Sequence, residues 1–112
     1  MACNCKIYPI KIRATSIAVA TDTTTLTIPA TPPLVGGNIY DIGLFSPIPD
    51  GTNGTQVEVA NGGSDPIPMY IENGNYYRPR PLLARTVLEA QYFSDPPHFV
   101  LLKVKGVCQC QK

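Results

Sequence analysis

The closing segment of this sequence, HFVLLKVK from His98 to Lys105, has the alternation of side chains that is typical of a β-strand. Successive side chains of a strand point to opposite faces, which divides the segment into an even-numbered and an odd-numbered set. The even-numbered set is the more apolar one and predicts the face that packs on the core. Its members are His98, Val100, Leu102 and Val104.

Alternating stretches recur along the chain and are separated by turn residues. Twelve prolines and nine glycines make up about a fifth of the 112 residues, while 44% of the residues are hydrophobic, which favours a packed fold over disorder. The earlier strands are predicted within residues 7–19, 21–29, 34–45, 56–60, 67–72, 76–77 and 82–92. The sequence therefore predicts an all-β fold of about eight short strands, in a jelly-roll-like sandwich or a small barrel.

Three of these stretches indicate which side chains reach the core, because their apolar residues occur at every second position. Proline cannot donate to a ladder, so Pro66 and Pro68 predict that the strand within 67–72 begins at a sheet edge. The predicted inward side chains are Leu26 with Ile28, Val57 with Val59, and Ile67 with Met69 and Ile71.

The pair Asn73-Gly74 is the strongest hairpin signal in the chain, because it lies between two short stretches of strand-forming residues. A two-residue loop of this composition predicts a type I′ turn, in which both central residues have positive φ.

The segment LLARTVLEAQY, from Leu82 to Tyr92, is the one place where a helix competes with a strand. Its apolar residues approach helical spacing at first, but they alternate from Thr86 onward. Because every neighbouring stretch is a predicted strand, we expect a strand here as well.

Cysteine pairs of identical spacing stand near both ends of the sequence: Cys3 with Cys5, and Cys108 with Cys110. If the pairs meet, they permit two disulfides or a metal site made of four thiolates. Zinc sites usually separate paired cysteines by more residues, and cytoplasmic thiols usually stay reduced. Thiol links within or between subunits, a metal site, and inert tails are therefore the three alternatives.

The first and last long strands are predicted to be antiparallel neighbours, because a closed β-domain commonly brings its chain ends together. Residues 10–19 would then pair with residues 99–105, and the start of the first strand would lie beside the end of the last. This pairing predicts that all four cysteines lie close in space.

The sequence YYRPR combines aromatic rings with arginines and supplies the candidate interaction residues, which are Tyr76, Tyr77, Arg78 and Arg80. Aromatic rings and guanidinium groups stack on bases, and they serve equally well in contacts with a glycan or a protein. Two arginines without a wider basic patch are a weak signal for nucleic acid.

Charge and motifs exclude several classes of function. The formal charge is +1 and 15% of the residues are charged, which gives no long-range field to attract nucleic acid or an anionic membrane. Motifs of phosphate-binding loops, zinc proteases and serine hydrolases do not occur, and the single histidine, His98, has no catalytic partner at motif spacing. We therefore expect no enzymatic activity and no cofactor.

One domain is expected over residues 7–105, with a cysteine-bearing tail at residues 1–6 and another at residues 106–112. No apolar run approaches the roughly 18 residues of a membrane-spanning helix, and the first residues lack the apolar region of a secretory signal. We expect synthesis in a cytoplasm.

The stretch TDTTTLTIPATPP, followed by LVGGNIYDIGLF and by the C-terminal strand, resembles the small accessory β-domains of tailed-phage virions, such as head decoration and head-fibre components. The resemblance is one of sequence style over most of the chain. It implies a non-enzymatic structural protein of a bacteriophage virion, made in the host cytoplasm, that binds the capsid or its own copies as a homo-oligomer.

Proline-rich arms and edge strands favour the same class, because small β-domains pair with their neighbours through such parts. We therefore expect a capsid accessory subunit that acts through oligomerisation and docking on a larger shell. The alternatives are a ligand- or glycan-binding β module centred on the Tyr76-Tyr77 hairpin, and a metal-binding or thiol-linked filament subunit built on the four cysteines.

Overall fold

A computed structural model describes residues 9–31, 33–51, 54–62 and 65–106. Within these ranges the chain forms eight strands and no helix, so no helix there is long and apolar enough to cross a membrane. The predicted all-β class and the predicted number of strands are confirmed. The strands are β1 (Ile10–Arg13), β2 (Ser16–Val19), β3 (Thr23–Ile28), β4 (Ile39–Gly43), β5 (Gln56–Asn61), β6 (Ile67–Tyr70), β7 (Val87–Ser94) and β8 (Pro97–Lys105).

The strands form one curled, mixed sheet in the order β1-β4-β7-β8-β6-β5-β3-β2. The pairs β1–β4, β3–β5 and β6–β8 are parallel, and the other neighbours are antiparallel. Parallel neighbours require connections that cross from one strand to a distant one, and the proline-containing connectors between β3, β4 and β5 supply them.

One extended segment joins the two ends of this sheet. The predicted single strand within residues 7–19 is divided into β1 and β2, which lie at opposite ends of the strand order. At the division, the amide of Ala14 donates to the carbonyl oxygen of Gly43 at 2.9 Å, and the hydroxyl of Thr15 donates to the carbonyl oxygen of Thr27 at 3.1 Å. The sheet therefore curls into a small, partly closed barrel.

The core lies inside the curl and is built from alternate side chains of the strands. The inward positions predicted from the sequence of β3, β5 and β6 are confirmed, with Ile71 after β6 only partly buried. The largest side chains that are fully buried are Tyr40, Phe99, Leu26, Ile28, Ile42, Ile48, Met69 and Leu88.

The closing strand β8 has a different core face from the one predicted. Phe99 is fully buried, whereas Leu102 and Val104 are each 42% exposed. His98 and Val100 lie half-buried on the outer face of the sheet. The prediction that the even-numbered side chains of this strand form its core face is therefore wrong.

A β-bulge in β8 explains the error. In the pairing with β7, Ala90 lies opposite Leu101 while Glu89 lies opposite Lys103, so Leu102 is an extra residue without a partner of its own. A bulge of this kind reverses which side chains face the core on its two sides. The alternation in the sequence is regular, but the pairing register with β7 changes at Leu102, so one face of the sequence pattern does not correspond to one face of the strand.

The predicted pairing of the first and last strands is also wrong. β4 and β7 separate β1 from β8 in the sheet. β1 and β8 run in the same direction, because β1 is parallel to β4 while β7 is antiparallel to both β4 and β8. The four cysteines themselves lie outside the described residues, so their predicted proximity stays a prediction.

The strand predicted over residues 82–92 is confirmed from Val87 onward, and Leu88, Ala90 and Tyr92 point into the core. Leu82 makes only an isolated bridge to Ile48. β6 lies between β8 and β5 in the strand order, but its first residues, Ile67 and Pro68, pair only with β5, and pairing with β8 begins at Met69. The start of the strand therefore has one unpaired side, as the prolines predict.

The hairpin lies where the sequence predicts it, but its turn is of another type. The amide of Ile71 donates to the carbonyl oxygen of Asn75 at 2.8 Å across the loop. Gly74 has a φ of +92°, and among the described non-glycine residues only Arg85 has a positive φ. Asn73 therefore lacks the positive φ that a type I′ turn requires, and the loop has three residues with glycine in the left-handed position.

Replacing Gly74 by valine is expected to lower the free energy of unfolding by about 1 to 3 kcal/mol, because a β-branched residue resists a positive φ. Apart from its chain neighbours, no described heavy atom lies within 4 Å of the position that a Cβ would take, so a steric clash does not contribute. Gly74→Asn is the matched control, since asparagine tolerates this conformation. Urea denaturation measures both variants, and a valine variant as stable as the wild type would contradict the assigned turn.

Candidate functional site

Four aromatic rings form a line across the outer face of the sheet, and we call them the aromatic row: Phe93, His98, Tyr70 and Tyr76. They come from β7, β8, β6 and the segment that follows the hairpin, where the strand predicted over residues 76–77 is reduced to an isolated bridge at Tyr76. Phe93 lies opposite His98 in the ladder, and Tyr70 forms an antiparallel bridge with Tyr76. The neighbours Tyr92, Phe99, Met69 and Tyr77 point inward, so strand alternation directs all four rings of the row outward.

The rings of the aromatic row contact one another in sequence. The centroids of Phe93 and His98 are 5.0 Å apart with the ring planes at 15°, which is a stacked pair. His98 meets Tyr70 edge-on at 5.6 Å, and Tyr70 meets Tyr76 at 5.1 Å with an angle of 32°. Rings at these separations stabilise one another beyond their burial and hold a fixed geometry.

Arg78 extends the row at the end where Tyr76 lies. Its guanidinium carbon is 5.8 Å from the centroid of the Tyr76 ring, within the range of a cation–π contact. The Arg78 Nε also donates to the carbonyl oxygen of Gly54 at 3.2 Å, which fixes the side chain against the neighbouring loop. The row therefore ends in a positive charge that is held in place from two sides.

Strand alternation separates the four candidate interaction residues. Tyr76 is 41% exposed, and Arg78 and Arg80 are exposed as well. Tyr77 is only 8% exposed, and its amide donates to the carbonyl oxygen of Met69 at 2.9 Å. Burial raises the pKa of Tyr77 to about 12, so the phenol is neutral and serves the core rather than the surface.

Two polar groups in the aromatic row, the Tyr70 hydroxyl and the His98 Nδ1, carry protons. Burial, together with the neighbouring Tyr76 phenol, raises the pKa of Tyr70 above its usual value, so the Tyr70 hydroxyl is protonated near neutral pH. The Nδ1 of His98 lies 2.7 Å from the carbonyl oxygen of Pro96. Because a carbonyl oxygen only accepts hydrogen bonds, Nδ1 carries a proton in this contact.

A groove of about 680 Å³ opens beside the hairpin and borders the row. Its polar walls come from Tyr76, Arg78 and Arg80, and Val104 from the far end of β8 contributes an apolar wall. The row and the groove together offer aromatic, cationic and apolar surface, which suits contact with another molecule and supplies no nucleophile with an adjacent base.

An ion-pair cluster lies on the outer face at the opposite end of β7 and β8. The Nζ of Lys105 lies 2.9 Å from Oδ2 of Asp41 and 2.9 Å from Oε1 of Glu89. Hydrogen bonding to Lys105 lowers the pKa of Glu89, and hydrogen bonds to both carboxylates raise the pKa of Lys105. The ion pairs of this cluster therefore tie β4, β7 and β8 together.

The candidate metal ligands Cys3, Cys5, Cys108 and Cys110 lie outside the described residues. Within the described ranges, no group of three or more His, Cys, Asp or Glu side chains converges in a way that could hold a metal ion.

The sequence identified Tyr76 and Arg78 but missed Tyr70, His98 and Phe93 as parts of one surface. A signal for Tyr70 was present, because the predicted inward positions Ile67 and Met69 imply that Tyr70 points outward. His98 and Phe93 join the row only through the strand order, which places β8 between β7 and β6.

Comparison with known proteins adds no relative: no family model, no curated protein and no solved structure matches this chain.

Proposed function

We propose that this chain is a non-enzymatic structural subunit of a bacteriophage virion, which docks through its aromatic row on copies of itself and on a larger capsid shell. The observation that carries the proposal is the aromatic row with Arg78 at its end. Tyrosine, phenylalanine and arginine are the residues enriched in protein interfaces and in their energetic centres. The assignment to a virion, rather than to another assembly, draws on the resemblance in sequence style.

The shape of the surface favours protein docking. The rings lie on the face of a sheet, and the hydrogen bond and ring contacts that they make hold them in one arrangement before a partner arrives. A surface that is already ordered loses less side-chain entropy on association. Capsid and portal genes on either side of the gene for this chain would support the same class.

Glycan binding is the second candidate, and the groove beside Tyr76 favours it, because Arg78 and Arg80 offer donors next to an exposed ring. Tyr76 is, however, the one exposed ring of the row, since the other three cover one another in part. A sugar could therefore stack on only one ring, whereas the surface of a protein partner would contact the whole row. For this reason docking is the main proposal.

Photo-cross-linking tests the proposal at the row itself. A benzophenone analogue of phenylalanine at position 76 keeps an aromatic ring there and reacts with whatever lies against it. We expect cross-links to a second copy of the chain or to shells assembled from a phage capsid protein. The same analogue at Val19, which is 53% exposed on β2, is the control. Equal cross-linking at both positions, or none at position 76, would contradict docking through the row.

A further inference from the structure

Gly43 lies within β4, and no contact inside the protein requires a glycine at this position. Glycine weakens a strand and usually marks a bulge, a bend or the close approach of another group. Gly43 pairs regularly with Arg13 on one side and with Val87 on the other, and its φ is not positive. Apart from its chain neighbours, the nearest described atom to a Cβ at this position would be the carbonyl oxygen of Ile12, at an ordinary 3.8 Å. A side chain would therefore fit, and its absence leaves open space above the sheet.

That space is a groove on the outer face of β1, β4 and β7. Two hollows of about 470 Å³ and 360 Å³ meet there, and Arg13, Gly43 and Val87 line both of them. Lys11 contributes to the first hollow, and Phe45 and Arg85 contribute to the second. Asp41 and Lys105, which form an ion pair with each other, also line the first hollow. We call the two hollows together the basic groove; the other residues that the argument uses are Lys11, Arg13, Gly43, Phe45, Arg85 and Val87.

Three cations of the basic groove have no ion pair within the described part of the chain: Lys11, Arg13 and Arg85. The two carboxylates on the same face, Asp41 and Glu89, are both bound by Lys105. Like charges that converge on one groove repel each other, and an anion between them would relieve that repulsion. The groove is therefore suited to a negatively charged occupant.

The backbone of Arg85 points to the same conclusion. Its φ is +71°, and it occupies the third position of a turn in which the Thr86 amide donates to the Leu83 carbonyl oxygen at 3.3 Å. Glycine would take this position without strain, so the arginine is present at a conformational cost. Strain of this kind is found where a side chain is needed for a function. The turn places Arg85 on the hollow that Arg13 also lines.

We infer that the basic groove binds an extended acidic segment of a protein partner, with Arg13 and Arg85 on its carboxylates and its backbone against Gly43. Guanidinium groups match the geometry of carboxylates with two parallel hydrogen bonds. Val87 and Phe45 offer apolar surface for the side chains between the acidic residues, and the open space over Gly43 lets a peptide backbone approach the sheet. The inference rests on the proposed function in one respect, namely that the partner is a protein.

Fluorescence anisotropy with the purified full chain and a labelled oligoglutamate peptide tests the inference. We expect binding that weakens as salt is added, and a loss of affinity of about tenfold in Arg13→Gln and in Arg85→Gln, because each removes a charge-assisted contact. Gly43→Val is expected to abolish binding by filling the floor of the groove. Its melting temperature should equal or exceed that of the wild type, because valine suits a strand better than glycine. Lys103→Gln, which removes an exposed cation that lines neither the basic groove nor the aromatic row, is the matched control and should bind normally.

Two outcomes would overturn the inference. One is unchanged peptide binding in Gly43→Val and Arg13→Gln, or no peptide binding by the wild type. The other is binding of inorganic phosphate or of oligothymidine in place of oligoglutamate, which would assign the groove to a different class of anion. Because the probe is a free peptide and the assembly of the chain is measured separately, failure here leaves docking through the aromatic row standing.

Discussion

Replacing Phe99 by alanine is expected to lower the free energy of unfolding by about 3 to 5 kcal/mol, which is the cost of removing a large ring from a packed core. Phe99 is fully buried on β8, in the middle of the sheet. Its ring lies 5.2 Å from the ring of Tyr92 and 6.4 Å from the ring of Tyr40. Domains of this kind have about 5 to 15 kcal/mol in total, so the loss removes a large part of the stability.

Leu102→Ala on the same strand is the matched control. Leu102 is 42% exposed at the bulge, and its truncation is expected to cost less than about 1 kcal/mol. The comparison distinguishes the observed faces of β8 from the faces that simple alternation predicts. The observed faces make Phe99→Ala the more destabilising variant, whereas simple alternation would make Leu102→Ala the more destabilising one. Urea denaturation measures both variants, and a larger loss in Leu102→Ala would contradict the bulge.

Replacing both Tyr76 and Arg78 by alanine is expected to weaken assembly by about a hundredfold or more, as removal of an energetic centre does in other interfaces. The two side chains contact each other through a cation–π pair at the end of the aromatic row. Both are exposed, so the melting temperature of the unassembled domain should change little. Size-exclusion chromatography of a dilution series measures the shift in association.

Val19→Ala is the control for this prediction, because Val19 is an exposed apolar residue on β2, away from the row. It should assemble as the wild type does. Assembly of the Tyr76 and Arg78 double variant at wild-type concentrations would remove the aromatic row as the docking surface.

Side-chain period alone predicted much of the fold. Leu26 and Ile28 in β3, and Val57 and Val59 in β5, are buried as expected, because each strand keeps a single register along its length. β8 does not, since Leu102 bulges where the strand pairs with Glu89 and Ala90 of β7. A bulge is decided by the partner strand, which is distant in sequence, so no local pattern reveals it.

The division of residues 7–19 into β1 and β2 at Ala14 could not be predicted from the local sequence for a similar reason. The bend contains neither glycine nor proline, and it arises because Ala14 bonds to Gly43 while Thr15 bonds to Thr27. These two acceptors belong to opposite ends of the sheet. The strand order, and with it the closure of the barrel, therefore depends on long-range hydrogen bonds that local propensity does not encode.

The candidate site was predictable in part. The composition of residues 76–80 indicated a contact surface, and strand alternation already implied that Tyr77 would face away from Tyr76. The rings of Phe93 and His98 become neighbours of Tyr70 only when β7, β8 and β6 lie side by side. The basic groove likewise requires β1 to lie next to β4.

Size-exclusion chromatography with light-scattering detection, on the purified chain alone and mixed with capsid shells, tests the proposed function most directly. A docking subunit should have a mass that is a multiple of its 12.1 kDa, or should migrate with the shells, and the Tyr76 and Arg78 double variant should do neither. A wild-type mass of 12.1 kDa at every concentration, with no migration with shells, would contradict the proposal that this domain acts by assembly.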